Sequence, residues 1–171
     1  MDAMSHSFDV FTESPASVEQ IHATFGREDY WLDRCAANGT PTTLDSLTVE
    51  GDGTVTVRIA QHLGRQLLPG PVAKLVRGDL KIVAVETWTP AGDRQVRGQV
   101  SVSAPGGLGS GNADALLAPA GDGAQLHLAG TVDVKIPLVG GKLEKSIGAG
   151  MVEGIPLIQR FTADWISEHG E

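Results

Sequence analysis

From Lys135 to Ser167, the apolar residues Leu143, Ile147, Met151, Ile155, Ile158, Phe161, Trp165 and Ile166 recur at steps of three or four. That spacing gathers side chains on one side of a helix. Lys142, Glu144, Lys145, Glu153, Gln159, Arg160, Asp164 and Glu168 fall between them and are assigned to the solvent side. The pattern predicts one amphipathic helix near Gly141–Ser167, about 40 Å long at about 1.5 Å per residue. Gly148, Gly150 and Gly154 in its interior each cost about 1 kcal/mol relative to alanine. Pro156 removes a backbone donor and crowds the carbonyl of Val152, which predicts a bend. Two compatible readings follow: close helix–sheet contact with a kink that wraps the helix around a curved sheet, or space beneath the helix for an apolar ligand.

Upstream, Phe8 and Val10, with His6, alternate with Ser7, Asp9 and Phe11, predicting a strand over about residues 5–13. Ser14-Pro15-Ala16-Ser17 then opens a short helix, with Ser14 as cap and Pro15 in the first turn. Val18, Ile21, His22 and Phe25 form its apolar stripe and Gly26 ends it. A second short helix, Glu28–Ala37, turns Tyr30, Trp31 and Leu32 inward and stops at Asn38-Gly39. From Thr42 the period changes to two. TLDSLTVE, GTVTVRIAQHL, KIVAVETWT, RQVRGQVSVSA, NADALLA and AQLHLAGTVDVKI read as successive strands, separated by turns such as Gly51-Asp52-Gly53 and Pro105-Gly106-Gly107. Such short links pair neighbours antiparallel, as a meander. Residues 64–80 interrupt the series. Pro69 and Pro71 break any strand there, and Val72, Leu75 and Val76 predict one or two helical turns, forming either an ordinary connector or a flap over one end of the sheet.

The predicted fold is α+β, a single domain over residues 4–168. Its seven-stranded antiparallel sheet curves around a long C-terminal helix, with two short helices after the first strand. Because sheet and helix diverge at one end, an apolar cavity is expected between them.

Composition narrows the function classes. A chain of 171 residues can bury a real core, and with only 5% aromatics that core is aliphatic. The net charge of −8, without a run of Lys or Arg, argues against nucleic acid and against anionic membrane surfaces as partners. No apolar run approaches the roughly 20 residues of a spanning helix. Cys35 is the single cysteine, which allows no intrachain disulfide, fits a reducing compartment and reads as a packed thiol. MDAMSHSF lacks a signal-peptide apolar core, so a cytoplasmic location is expected. Met4 is an alternative start, which would make Met1–Ala3 an extension or cloning remnant.

Candidate chemistry is sparse. Scattered histidines and one cysteine form no metal pattern, and no cofactor or catalytic residue is expected. The glycines at 106–111 run into Asn112 where a dinucleotide fingerprint needs glycine, and they join two strands instead of opening a helix. Glu86 shares a strand face with Ile82, Ala84 and Trp88. If that face is inward, Glu86 enters the cavity and needs a donor, with Arg58, Arg97 and His62 as candidates, because an unpaired buried carboxylate is costly. Glu86 with Arg58 would then be a polar anchor for a ligand headgroup, or an acid or base. The alternative is a structural ion pair or an exposed glutamate.

The order of elements resembles the START-like, Bet v 1-like helix-grip superfamily of lipid and hydrophobic-ligand binders. More closely, the chain resembles an uncharacterised bacterial family within it, best represented in actinobacteria. The residues that carry the likeness are Leu68-Pro69-Gly70 before Lys74-Leu75-Val76, then Glu86-Thr87-Trp88, and Val134 to Glu144 (VKIPLVGGKLE) leading into the helix. The likeness runs from about Met4 to Trp165. It implies a cavity for a sterol, fatty acyl, polyketide or other apolar molecule; some relatives are cyclases, aromatases or hydrolases, and others carry or sense ligands. The expected lining is Leu143, Ile147, Met151, Ile155 and Ile158 from the helix, with Trp88, Val100, Val102, Leu128 and Val132 from the sheet. The favoured reading is a carrier or sensor of a hydrophobic small molecule. The alternatives are an enzyme of the cyclase or hydrolase type and an interaction module with a collapsed cavity. Oligomeric state is left open.

Overall fold

The computed structural model describes residues 5–68, 70–76 and 78–169. The alternative start at Met4 and the strand-breaking role of Pro69 lie outside the described residues. Strand β1 (Ser5–Ser14) leads into helices α1 (Val18–Phe25) and α2 (Glu28–Ala36). Strands β2 (Thr42–Val49) and β3 (Val55–Leu63) follow, then the short helix α3 (Gly70–Ala73). Strands β4 (Leu80–Pro90), β5 (Val96–Ala104), β6 (Gly109–Ala120) and β7 (Gly123–Val134) complete the sheet before the long helix α4 (Gly140–His169). The seven strands form one antiparallel sheet in the order β1-β7-β6-β5-β4-β3-β2. The chain is therefore the predicted α+β arrangement: a meander from β2 to β7, with β1 added beside β7.

The cap of α1 differs from expectation. Ser17, not Ser14, is the N-cap: its Oγ accepts from Gln20 N at 3.1 Å while Ser17 N donates to Gln20 Oε1 at 2.9 Å. This reciprocal box satisfies two orphan donors, which Ser14 cannot do as the buried end of β1. Along α2, Tyr30 and Trp31 are buried as expected, but Leu32 is exposed, because the next residue on a helix turns about 100° away from its predecessor.

The main core sits where α1, α2 and the C-terminal turns of α4 meet the sheet. Ile21, Tyr30 and Trp31 are fully buried there, with Phe25 packed 5.0 Å from the Trp88 ring and Tyr30 edge-on to Trp165 at 5.4 Å. A second, smaller cluster joins Val72, Val76 and Leu80 to Val132, Val134 and Ile136.

Helix α4 keeps its predicted apolar stripe except at Ile147, which is 45% exposed, and two of the residues assigned to solvent are buried. Glu144 is buried and accepts from Val134 N at 2.8 Å, supplying an acceptor at the end of β7. Gln159 is also buried, and its Nε2 has no hydrogen-bond partner among the described residues.

Candidate functional site

Helix α4 rests on β1 and β7, the strands at one edge of the sheet, while α2 packs on β2 at the opposite edge. Beyond the end of the middle strands on which α1 and α2 pack, a cavity of about 930 Å³ remains over the sheet. Ile59, Ile82, Ala84, Val100, Val102 and Val132 form its floor. Leu143, Ile147, Met151, Leu157, Ile158 and Phe161 form its roof. Leu68 and Val72, flanking the start of α3, help to close one end, and Arg34, Cys35 and the residues after α2 border the other. The spacing of α4 from the sheet explains the gap. Gly148 lies against His6, where an added Cβ would come within 2.6 Å of the imidazole Cδ2, whereas Gly150 and Gly154 meet nothing within 4 Å. Of these three interior glycines, Gly148 alone serves close approach; at the start of α4, Gly140 does the same against the Val134 carbonyl.

Seven of the expected lining residues are on the cavity wall: Val100, Val102, Val132, Leu143, Ile147, Met151 and Ile158. Trp88, Leu128 and Ile155 are not. Trp88 and Leu128 are core residues with Ile155 packed against them, because the aromatic cluster of α1 and α2 occupies the space above that end of the sheet. Gly98, paired with Trp88 across β4 and β5, leaves room for the indole to lie over the sheet; a Cβ there would overlap the ring.

Glu86 points inward and is buried. Its Oε1 accepts from Trp88 Nε1 at 3.0 Å, and its Oε2 lies 3.5 Å from the Arg34 guanidinium. Arg58 is not the partner. It alternates with inward Val57 and Ile59, is half-exposed on the other face of β3, and lies 3.7 Å from Asp45. His62 likewise contacts Thr43, at 3.2 Å. The cation that reaches Glu86 comes from α2, where Arg34 follows Trp31 by three residues and Tyr30 by four. That spacing puts all three on one helix face, and it was the signal available in the sequence.

Arg34 sits 4.7 Å over the Trp31 ring, and its Nη1 lies 3.5 Å from the Tyr30 hydroxyl, which in turn contacts Thr162 Oγ1 at 2.7 Å. Burial acts most strongly on Arg34 and opposes its charge, but Tyr30 and Glu86 outweigh it and the pKa is raised; the side chain stays cationic. Burial pushes the neighbouring Cys35 thiol up, against a smaller opposing pull from Arg34, so this cavity-lining sulfur is a thiol and not a thiolate at neutral pH. Among the described residues no His, Cys, Asp and Glu cluster could hold a metal ion, and no helix is long and apolar enough to cross a membrane.

Residues 9–166 match the model of a family described as "Protein of unknown function (DUF2505)". The chain belongs to that family. It is 36% identical over 174 residues to the uncharacterized protein Rv0481c of Mycobacterium tuberculosis, an alignment covering 97% of this chain and 99% of the relative. In three dimensions it is similar to TTHA0849 from Thermus thermophilus, with a TM-score of 0.58 at 17% identity over 97% of this chain and 100% of that one. It also superposes on norcoclaurine synthase from Thalictrum flavum, solved in complex with dopamine and hydroxybenzaldehyde, with a TM-score of 0.50 at 15% identity over 98% of this chain and 89% of that one. This family member thus shares the helix-grip fold of these structures.

Proposed function

We propose that this protein holds an elongated apolar small molecule, of acyl, sterol or polyketide-like character, beneath α4, as a carrier or sensor. The observation that carries the reading is the aliphatic gap of about 930 Å³ between helix and middle strands, within the roughly 300–1,000 Å³ typical of ligand pockets. Each buried methylene contributes about 0.8 kcal/mol, so a chain of ten gains roughly 8 kcal/mol, set against an association cost of about 4 kcal/mol or more. Apolar burial alone then gives weak binding, and a polar contact decides useful affinity. Arg34 and Glu86 together supply donors and an acceptor without net charge, which suits a hydroxyl or carbonyl group better than a carboxylate. Norcoclaurine synthase was solved with small polar aromatics bound; the aliphatic walls here suit a less polar guest. Glu86 is engaged by Trp88 and Arg34, and Cys35 is protonated, so the pair is built to hold a group and not to attack one.

Native mass spectrometry of the protein purified without detergent should reveal a co-purifying apolar adduct. Met151→Trp, which fills the roof, should lower affinity for a fluorescent fatty probe at least about tenfold while leaving the unfolding transition within about 1–2 kcal/mol of the parent. Unchanged affinity would remove α4 from the site.

A further inference from the structure

Net charge alone points away from acidic partners, yet the charges are unevenly placed. Residues 65–81 and 133–147 hold seven of the thirteen basic residues, including every lysine, and only three of the twenty-one acidic ones. The fold brings these two stretches together, since Val72, Val76 and Leu80 of the first pack with Val134, Ile136 and Leu143 of the second. The three acids are largely occupied. Glu144 is buried on Val134 N, Asp133 binds Lys135 at 2.8 Å, and Asp79 accepts from Arg65 N at 3.3 Å. Lys74, Lys81, Lys142 and Lys145 are exposed. Lys81 alternates with the cavity-facing Leu80 and Ile82 and so lies on the other face of the sheet, and two apolar residues of the same stretches are left uncovered: Leu138 is fully solvent-exposed at a φ of 74°, and Leu75 is 54% exposed. A leucine in the left-handed region with no protein contact contributes nothing to stability.

We infer that this basic, leucine-tipped end docks on an anionic lipid surface, with Lys74, Lys142 and Lys145 against headgroups and Leu138 and Leu75 in the interface. Charge complementarity selects this occupant, because basic residues around protruding apolar side chains match a negatively charged bilayer surface. The same two stretches carry the cavity-wall residues Leu68, Val72, Leu143 and Ile147. Docking would therefore bring that end of the cavity against the bilayer. The inference goes beyond the cavity reading and is measured without any ligand, so failure of either leaves the other standing.

The test is co-flotation of the full chain with phosphatidylcholine vesicles, with and without phosphatidylglycerol. Binding should require phosphatidylglycerol and weaken as salt is raised. Each basic residue near such a surface is worth about fivefold, so Lys142→Glu with Lys145→Glu should lower partitioning by more than about tenfold. Leu138→Asn, which tolerates the positive φ, should lower it several-fold with the thermal transition unchanged. Arg97→Glu, an exposed residue on β5 outside both stretches, should have no effect. Absence of binding, equal binding to neutral vesicles, or a charge-reversed variant that binds like the parent would each overturn the proposal.

Discussion

Arg34 shows how one side chain can join two layers. Its guanidinium lies over the Trp31 ring and bridges Tyr30 of α2 to Glu86 of β4. Arg34→Met would keep apolar packing on Trp31 but strand the Glu86 carboxylate beside the cavity. Because the pair is only partly exposed, the expected cost is about 3 kcal/mol in urea-induced unfolding. Adding Glu86→Gln should recover most of it, since the amide oxygen still accepts from Trp88 Nε1. Failure of that recovery would mean that Arg34 acts through packing alone.

Among the elements, α4 carries a contradiction that its glycines resolve. A helix with several interior glycines sacrifices helical stability, and the reason differs from one to the next. Gly148→Ala drives a methyl group into His6 and should destabilise by about 1–3 kcal/mol. Gly150→Ala, with nothing within 4 Å, should stabilise by about 1 kcal/mol. Thermal or chemical denaturation of the two variants should give opposite signs. Matching signs would show that helix–sheet distance is not set at Gly148. The stripe of α4 was legible because burial repeats with the helical period. Glu144 leaves the solvent side predicted for it because the donor that it meets, Val134 N, belongs to another element, β7.

At the scale of the molecule, the sheet is wider than α4 can cover. Helices grip its two edges, a ring-packed core fills one region, and open apolar space remains over the middle strands. A ligand bound only by the folded chain stabilises by mass action, about 2.7 kcal/mol at a hundredfold excess over Kd. An apolar alcohol or ketone that fits should therefore raise the thermal midpoint progressively with concentration, and more than the carboxylic acid of equal length. Equal shifts for the two would mean that Arg34 and Glu86 do not read the head.

The order of elements, the antiparallel pairing and the apolar sides of α1 and α4 were determined by the sequence itself. Periodicity and turn chemistry act over a few residues and need no distant partner. Even the inward turn of Glu86 was conditionally legible from its alternation with Trp88. Tertiary structure alone decided that Arg34 and not Arg58 meets Glu86, and that Trp88, Leu128 and Ile155 fill the core while Val100, Val102 and Met151 border open space. It also brought together two distant stretches that between them carry every lysine. Each of these depends on where α2, α4 and the β3–β4 connector come to rest on the sheet, and that placement is settled by packing among residues whose separation no local pattern records.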